Sequence, residues 1–230
     1  MTYNLITLKE ILFCFIFICA MNTTKAQDWA QLNRFKQANA QLCTSENDEN
    51  RVVFMGNSIT EGWLQDSLSL FKNKSYINRG IGGQTSPQMK YRFMQDVIEL
   101  KPKAVVILAG INDIAQNTGY ISIPDIAANI KEMTCLAKSN NIKVVICSVL
   151  PSNYFPWRPQ IHPADKVIAL NILLKEIAHE NEVFYLDYYT EMVDNKKGLK
   201  DIYTTDGVHC SIEGYRMMEL LIEECLKTLF

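Results

Sequence analysis

The stretch RVVFMGNSIT, residues 51–60, decides how this sequence is expected to fold. Four consecutive apolar residues, VVFM, end at a glycine, and a short polar segment, NSIT, follows at once. A short apolar run without alternating polar residues is typical of a parallel strand that is covered on both faces. Two later runs, AVVIL at 104–108 and VVICSV at 144–149, have the same character, and we expect them in the same sheet.

Short apolar runs and longer helical patterns alternate from residue 51 to the end of the chain. The expected strands are residues 52–55, 76–78, 104–108, 143–149 and 183–186. The expected helices are 88–100, 126–139, 165–180 and 212–226. Ser86 is the expected cap of the first of these helices, with Pro87 at its first helical position, and Ser211 is the expected cap of the last. This alternation predicts right-handed βαβ units and an α/β fold with a doubly wound parallel sheet. Ligands of such sheets bind beyond the carboxyl ends of the strands.

The composition indicates an ordinary soluble globular chain. Of its 230 residues 48% are hydrophobic and 21% are charged, and the net charge is -2. A net charge this small gives no electrostatic reason to expect binding to nucleic acid or to an anionic membrane surface. No repeat, low-complexity segment or linker divides the sequence, so we expect a single domain after the leader.

The first 26 residues have the pattern of a secretory signal peptide. Lys9 precedes the uncharged run ILFCFIFICAM at 11–21, and a short polar stretch then ends at Ala26. Cleavage after Ala26 would leave residues 27–230 as the mature domain, in the periplasm or outside the cell. A retained membrane anchor is the alternative, although the run is shorter than the roughly 20 residues of a membrane span. Lipidation at Cys19 is disfavoured, because Ile18 stands where a small residue is expected.

Seven cysteines are present, and two of them, Cys14 and Cys19, belong to the leader. The remaining five are scattered without a CxxC pair, so neither a zinc site nor a redox motif is indicated. One disulfide among them is possible, but the sequence does not identify the pair. Cys135 and Cys147 lie in apolar runs, and we expect both to be buried. The five are Cys43, Cys135, Cys147, Cys210 and Cys225.

Four polar clusters each follow an expected strand or precede an expected helix. They are GNSIT at 56–60, NRGIGGQT at 78–85, GIND at 110–113 and DGVH at 206–209. All four are therefore expected at the carboxyl edge of the sheet. A serine, a histidine and a carboxylate are what acyl transfer needs, because a serine hydroxyl requires a base and the base requires an orienting acid. Backbone and amide N–H groups must also meet the oxyanion.

These clusters, taken in order, resemble the signature blocks of the SGNH hydrolases, the GDSL-type lipase/acylhydrolase family. The resemblance implies a flavodoxin-like α/β/α sandwich with about five parallel strands. It also implies Ser58 as nucleophile, Asp206 as acid and His209 as base. Ser58, Gly83 and Asn112 would supply the oxyanion hole. Asp113, beside the oxyanion asparagine, is expected to be structural.

Four further residues are expected to contact substrate. Asn57 stands where the family often has aspartate, so it offers an acceptor without the charge. Trp63 follows the nucleophile, and Tyr154 and Trp157 belong to an irregular, Pro-rich segment at 151–163. A loop this long in a compact domain is usually functional. The alternative is that these aromatic residues fill gaps in the core.

We predict a serine esterase that hydrolyses small esters through an acyl-enzyme, most simply a carbohydrate O-acetyl esterase. The alternatives are an acylhydrolase of lysophospholipids or of lipids resembling platelet-activating factor, and a non-catalytic carbohydrate-binding relative. A flavodoxin-type nucleotide binder is disfavoured, since GNSIT lacks a phosphate-binding glycine pattern. No cofactor is required, and no metal site is expected because no two histidines have ligand spacing. The expected partner is a small-molecule or glycan ester, without stable membrane insertion once the leader is removed.

Overall fold

The computed structural model describes residues 28–44, 50–63, 70–73 and 75–230. The leader predicted at residues 1–26, with Cys14 and Cys19, lies outside these residues and stays a prediction. None of the helices in the described parts of the chain is both long and apolar enough to cross a membrane.

A parallel sheet forms the centre of the described chain. Its strands are β1 (Val52–Gly56), β2 (Tyr76–Gly80), β3 (Ala104–Leu108), β4 (Lys143–Cys147) and β5 (Phe184–Leu186). They lie in the order β2-β1-β3-β4-β5, and every neighbouring pair is parallel. Every residue of the central strands β1 and β3 is buried, as their uninterrupted apolar runs predict.

Helices cover both faces of this sheet, so the predicted three-layer α/β/α sandwich is confirmed. The helices in chain order are α1 (Lys36–Thr44), α2 (Ser58–Gly62), α3 (Ser86–Asp96), α4 (Ile111–Ile114), α5 (Ile123–Ser139), α6 (Ala164–Glu180), α7 (Tyr188–Met192) and α8 (Ile212–Leu229). On one face α3, α5 and α6 pack side by side, and α8 covers the other together with α2 and α7. Short 3-10 turns lie at Leu70–Lys72, Ile98–Leu100 and Asp201–Tyr203.

The predicted elements are present, but some of their ends differ. Helix α3 ends at Asp96 and is followed by a separate 3-10 turn, because the backbone of Val97 leaves the helical region. Its cap is Thr85 rather than Ser86, and Thr85 forms a capping box with Gln88. Ser211 caps α8 as predicted, with its side chain accepting a hydrogen bond from the N–H of Gly214.

The five cysteines within the described chain are all free thiols. Cys147 is buried in β4, as expected. The prediction that Cys135 is buried is wrong, because it lies on the exposed side of α5.

A buried arginine ties together the edge of the sheet where the polar clusters meet. The guanidinium of Arg92 donates to the carbonyls of Gly56 and Arg79, at the ends of β1 and β2. It also donates to Gln84 and forms a fully buried ion pair with Asp96. Burial lowers the pKa of Arg92, and the neighbouring Asp96 carboxylate opposes that shift. The buried guanidinium charge is therefore both paired with a carboxylate and hydrogen-bonded, as a buried charge requires.

Candidate active site

The side chains of Ser58, His209 and Asp206 form a continuous chain of hydrogen bonds at the carboxyl edge of the sheet. Ser58 Oγ lies 3.0 Å from His209 Nε2. His209 Nδ1 lies 2.7 Å from Asp206 Oδ2. The structure thus brings together the three residues that the sequence predicts as nucleophile, base and acid.

The position of Ser58 follows from how β1 turns into α2. Asn57 caps the helix, since its side chain accepts a hydrogen bond from the N–H of Ile59 at 3.0 Å. Ser58 is therefore the first helical residue, and its own N–H is one of the donors that a helix start leaves unsatisfied. Gly80 lets β2 approach this helix, because a Cβ there would overlap the backbone of Glu61.

The loop before α8 fixes the Asp206 carboxylate, which in turn holds Nδ1 of the imidazole. Oδ1 of Asp206 accepts from the backbone N–H groups of Val208 and His209, at 2.9 and 2.8 Å. Its Oδ2 is thereby left to face the ring nitrogen of His209. Partial burial raises the pKa of Asp206, but the hydrogen bonds from His209 and Val208 lower it by more. The pKa of Asp206 is therefore below its ordinary value. The carboxylate is therefore ionised at neutral pH and can orient the imidazole.

The turn that carries Gly83 lies directly beside Ser58. A Cβ placed on Gly82 would come within 3.8 Å of Ser58 Cβ. Gly83 has φ +76, a conformation that favours glycine, and the N–H of Gln84 closes the turn on the carbonyl of Ile81. The N–H of Gly83 meets no acceptor among the described residues, so it is available to a ligand.

Asn112 is buried next to this turn, at the start of α4. Its Nδ2 donates one hydrogen bond to the carbonyl of Gln84, at 3.0 Å. The second hydrogen of that amide has no acceptor within the described chain. Asn112 is fixed by one bond and keeps one donor for a ligand, which suits a rigid oxyanion site.

Asp113 has the structural position that the sequence predicts. Its carboxylate accepts hydrogen bonds from the N–H and the hydroxyl of Ser86, at the start of α3. Burial raises the pKa of Asp113 to about 6, and the hydrogen bonds from Ser86 oppose part of that rise. The contact joins the segment of Asn112 to the helix that follows the Gly83 turn.

Two of the residues predicted to contact substrate do not face solvent. Trp63 is only 2% exposed, stacks on Tyr215, and donates from Nε1 to Glu219. Asn57 is 1% exposed and is occupied as the cap of α2. One side chain completes the core beneath α8 and the other completes a helix end, so the structure gives each of them a structural role.

The other two predicted contact residues are half exposed near the imidazole. The ring centroid of Trp157 lies 6.2 Å from that of His209, and Trp157 stacks on the buried ring of Phe155. Tyr154 packs against Gly207, between the acid and the base. Tyr154, Asp206 and Gly207 are among the residues that line a cleft of about 430 Å³.

Sequence reasoning missed two side chains that hold the Gly83 turn. Glu61 accepts from the N–H of Gly82 at 2.8 Å, and Asn117 donates to the carbonyl of Gly83 at 3.1 Å. The only available signal for Glu61 was its position one helical turn after Ser58. In residues 28–44, 50–63, 70–73 and 75–230, no three His, Cys, Asp or Glu side chains cluster as ligands for a metal ion.

Residues 54–217 match the sequence model of the GDSL-like Lipase/Acylhydrolase family. The chain belongs to this family. All four polar clusters of this acylhydrolase lie within the matched segment.

Two solved structures from Bacteroides are similar over nearly their whole length. A candidate acylhydrolase from Bacteroides fragilis NCTC 9343 is 48% identical with a TM-score of 0.85, over 88% of this chain and 99% of that one. A GDSL-like lipase from Bacteroides thetaiotaomicron VPI-5482 is 45% identical with a TM-score of 0.84, over 88% of this acylhydrolase and 100% of that chain.

An acetylxylan esterase from Xylanibacter ruminicola is 25% identical in an alignment of 217 positions that covers 78% of this chain and 44% of that protein. The acylhydrolase spans less than half the length of the curated relatives that it matches, 48% of one and 44% of the other.

Proposed function

We propose that this acylhydrolase is a serine esterase that cleaves small esters through an acyl-enzyme. Ser58 is the nucleophile, His209 the general base and Asp206 the residue that orients the imidazole. One observation carries the proposal, namely the hydrogen-bonded chain from Ser58 Oγ through His209 to Asp206. A serine hydroxyl alone is a weak nucleophile, and this arrangement is the one that activates it.

In the acylation step, Oγ of Ser58 forms a bond to the carbonyl carbon while its proton moves to Nε2 of His209. The carbonyl oxygen becomes an oxyanion, which the N–H groups of Ser58 and Gly83 and the amide of Asn112 stabilise. The carbon–oxygen bond to the alcohol then breaks, and the imidazolium of His209 gives its proton to the departing oxygen. The acyl group remains on Ser58.

The deacylation step repeats this chemistry with water. His209 takes a proton from a water molecule as its oxygen attacks the acyl carbon, and the same donors stabilise the second oxyanion. Collapse breaks the bond to Ser58, which recovers its proton from His209, and the carboxylic acid leaves. Asp206 stays ionised throughout and stabilises the imidazolium in both steps.

We infer that the natural substrate is an O-acetylated carbohydrate. The half-exposed ring of Trp157 lies beside the imidazole and that of Tyr154 packs against Gly207 in the same loop, and both offer aromatic surface on which a sugar ring can stack. The similarity to a protein named acetylxylan esterase supports the same substrate class. The apolar run at residues 11–21 supports a location in the periplasm or outside the cell.

Hydrolysis of 4-nitrophenyl acetate by the purified protein tests the chemistry. Ser58→Ala should lower kcat/KM by roughly 10⁴ or more, while the melting temperature stays close to that of the wild type. Thr190→Ala, which changes a hydroxyl residue in α7, serves as the control and should keep full activity. Unchanged hydrolysis by Ser58→Ala would refute the mechanism.

A second assay tests the substrate class. We expect acetylated xylo-oligosaccharides to have a higher kcat/KM than 4-nitrophenyl esters with acyl chains of four to ten carbons. A kcat/KM that rises with acyl length would instead indicate a lipid acylhydrolase. Equal values across both series would remove the preference for carbohydrates.

A further inference from the structure

Glu61 links the helix of the nucleophile to the turn beside it. Glu61 lies in α2, three residues after Ser58, and its Oε2 accepts from the N–H of Gly82 at 2.8 Å. This hydrogen bond joins the two segments from which two of the proposed oxyanion donors come.

Two side chains fix the peptide groups before and after the one that carries the N–H of Gly83. Glu61 fixes the N–H of Gly82, and Asn117 fixes the carbonyl of Gly83. The peptide between them carries the N–H of Gly83, which has no acceptor in the described part of the chain. Because the two flanking peptides are fixed, the direction of this N–H is fixed as well.

The second oxygen of Glu61 is paired with a cation. Arg34 donates from its guanidinium to Oε1 at 2.9 Å, and both side chains are partly exposed. An exposed ion pair adds little to stability. It does, however, offset a negative charge that would otherwise stand beside the oxyanion and raise its energy. Because Arg34 binds Oε1, the other carboxylate oxygen, Oε2, accepts from the N–H of Gly82.

We propose that Glu61 is a positioning residue for ester hydrolysis, an inference that rests on the function proposed above. By accepting from Gly82, Glu61 holds the turn so that the N–H of Gly83 points at the carbonyl oxygen of an ester bound at Ser58. Arg34 neutralises Glu61 and fixes its rotamer. Glu61 itself takes no proton and does not touch the reacting atoms.

The test compares Glu61→Ala, Glu61→Gln and Arg34→Gln in the full chain with 4-nitrophenyl acetate. Glu61→Ala should lower kcat about 10- to 100-fold with KM changed less than about threefold, since misplacing a donor affects the transition state. Glu61→Gln keeps a carbonyl oxygen for Gly82 and should retain kcat to within about fivefold. Arg34→Gln should lie between the wild type and Glu61→Ala.

A trifluoromethyl ketone, which forms a tetrahedral adduct with an active-site serine, provides the second readout. Its inhibition constant should rise for Glu61→Ala by the same factor as kcat falls. Glu132→Ala is the matched control, because it removes an exposed ion pair between Glu132 in α5 and Lys90 in α3. It should alter neither kcat nor the inhibition constant.

Some outcomes would overturn the proposal. Glu61→Ala with kcat within twofold of wild type would do so, as would a loss of kcat with no change in the inhibition constant. Equal losses in Glu61→Gln and Glu61→Ala would show that the charge, not the hydrogen bond to Gly82, matters. These results are separate from the proposed chemistry, which fails only if Ser58→Ala stays active.

Discussion

The hydroxyl of Ser58 and the imidazole of His209, 151 positions apart in the sequence, lie 3.0 Å from each other. Ser58 starts the helix after the first strand, and His209 stands just before the last helix. The parallel sheet brings the two together, because its strands all end at the same edge. Local sequence places each residue at an element boundary, and the topology makes the boundaries meet.

Replacing Asp206 by Asn should abolish most of the activity without unfolding the loop. The amide oxygen can still accept from Val208 and His209, so the backbone is retained. The amide nitrogen would donate to Nδ1 of His209, which leaves the proton on Nε2 and prevents that atom from accepting the proton of Ser58. We expect kcat to fall by about 10⁴.

Steady-state kinetics with 4-nitrophenyl acetate measure this loss, and Asp201→Asn in the nearby 3-10 turn is the control. A loss of less than tenfold for Asp206→Asn would show that the imidazole does not depend on this carboxylate.

Replacing Asn112 by Ala should remove one oxyanion donor. We expect kcat to fall by about 10²–10³ with KM nearly unchanged, because the donor acts on charge that develops in the transition state. Asn140→Ala, at the exposed end of α5, controls for the loss of an asparagine. If KM rose and kcat were preserved, Asn112 would bind the ground state instead.

Asp113 should give stability a distinct pH dependence. Its pKa is about 6 in the folded protein and near 3.8 in the unfolded chain, so the folded state binds the proton more tightly. The contribution of this group to stability therefore falls as pH rises from about 4 to about 6 and is level above that range. At about 1.4 kcal/mol per pH unit, the change amounts to at most about 3 kcal/mol.

Urea unfolding at pH 4, 5, 6 and 7 measures this effect when the wild type is compared with Asp113→Asn. The asparagine does not titrate, so the difference between the two free energies of unfolding should change across this range. Curves that stay parallel from pH 4 to pH 7 would contradict the prediction.

Trp157 should matter for extended substrates only. Trp157→Ala removes a half-exposed ring beside His209, and we expect KM for acetylated xylo-oligosaccharides to rise roughly three- to tenfold. KM for 4-nitrophenyl acetate should stay the same. Tyr91→Ala, an exposed ring on α3, is the control. A similar change for both substrates would mean that Trp157 supports the loop and does not contact a sugar.

Trp63 should behave as a core residue. Trp63→Ala leaves a cavity and removes one of the hydrogen bonds to Glu219, and the free energy of unfolding should fall by about 3–5 kcal/mol. Trp63→Phe keeps most of the apolar ring and should lose about 1–3 kcal/mol through the lost hydrogen bond to a charged acceptor, although Glu219 still accepts from the N–H of Leu70 and pairs with Arg216. Denaturant unfolding gives both values. A stable Trp63→Ala protein with a raised KM would restore the interpretation as a substrate contact.

The sequence predicts the central strands of the sheet well because they are compact apolar runs. In β1 and β3 the buried residues are consecutive, so local composition alone identifies the strand. The end of α3 was harder, since the helical pattern continues past Asp96 into a 3-10 turn. Element boundaries depend on backbone geometry that apolar periodicity does not record.

Side-chain burial near the site depends on distant partners, and there the sequence was insufficient. Trp63 is buried because Glu219 and Tyr215, more than 150 positions away, cover it. Nothing within ten residues of Trp63 distinguishes such a core ring from a substrate platform. The hydrogen bond from Gly82 to Glu61 was hidden for the same reason, because it joins two segments only after the sheet has formed.

The proposed catalytic residues lie in two separate parts of the sequence. Ser58, Gly83 and Asn112 precede the middle of the sequence, whereas Asp206 and His209 follow an exposed turn in which Lys197 has φ +64. A break in that turn would yield a long fragment with the hydroxyl and a short one with the imidazole. Neither fragment could turn over an ester alone, so restored hydrolysis on mixing would report reassembly, as in a split-enzyme sensor.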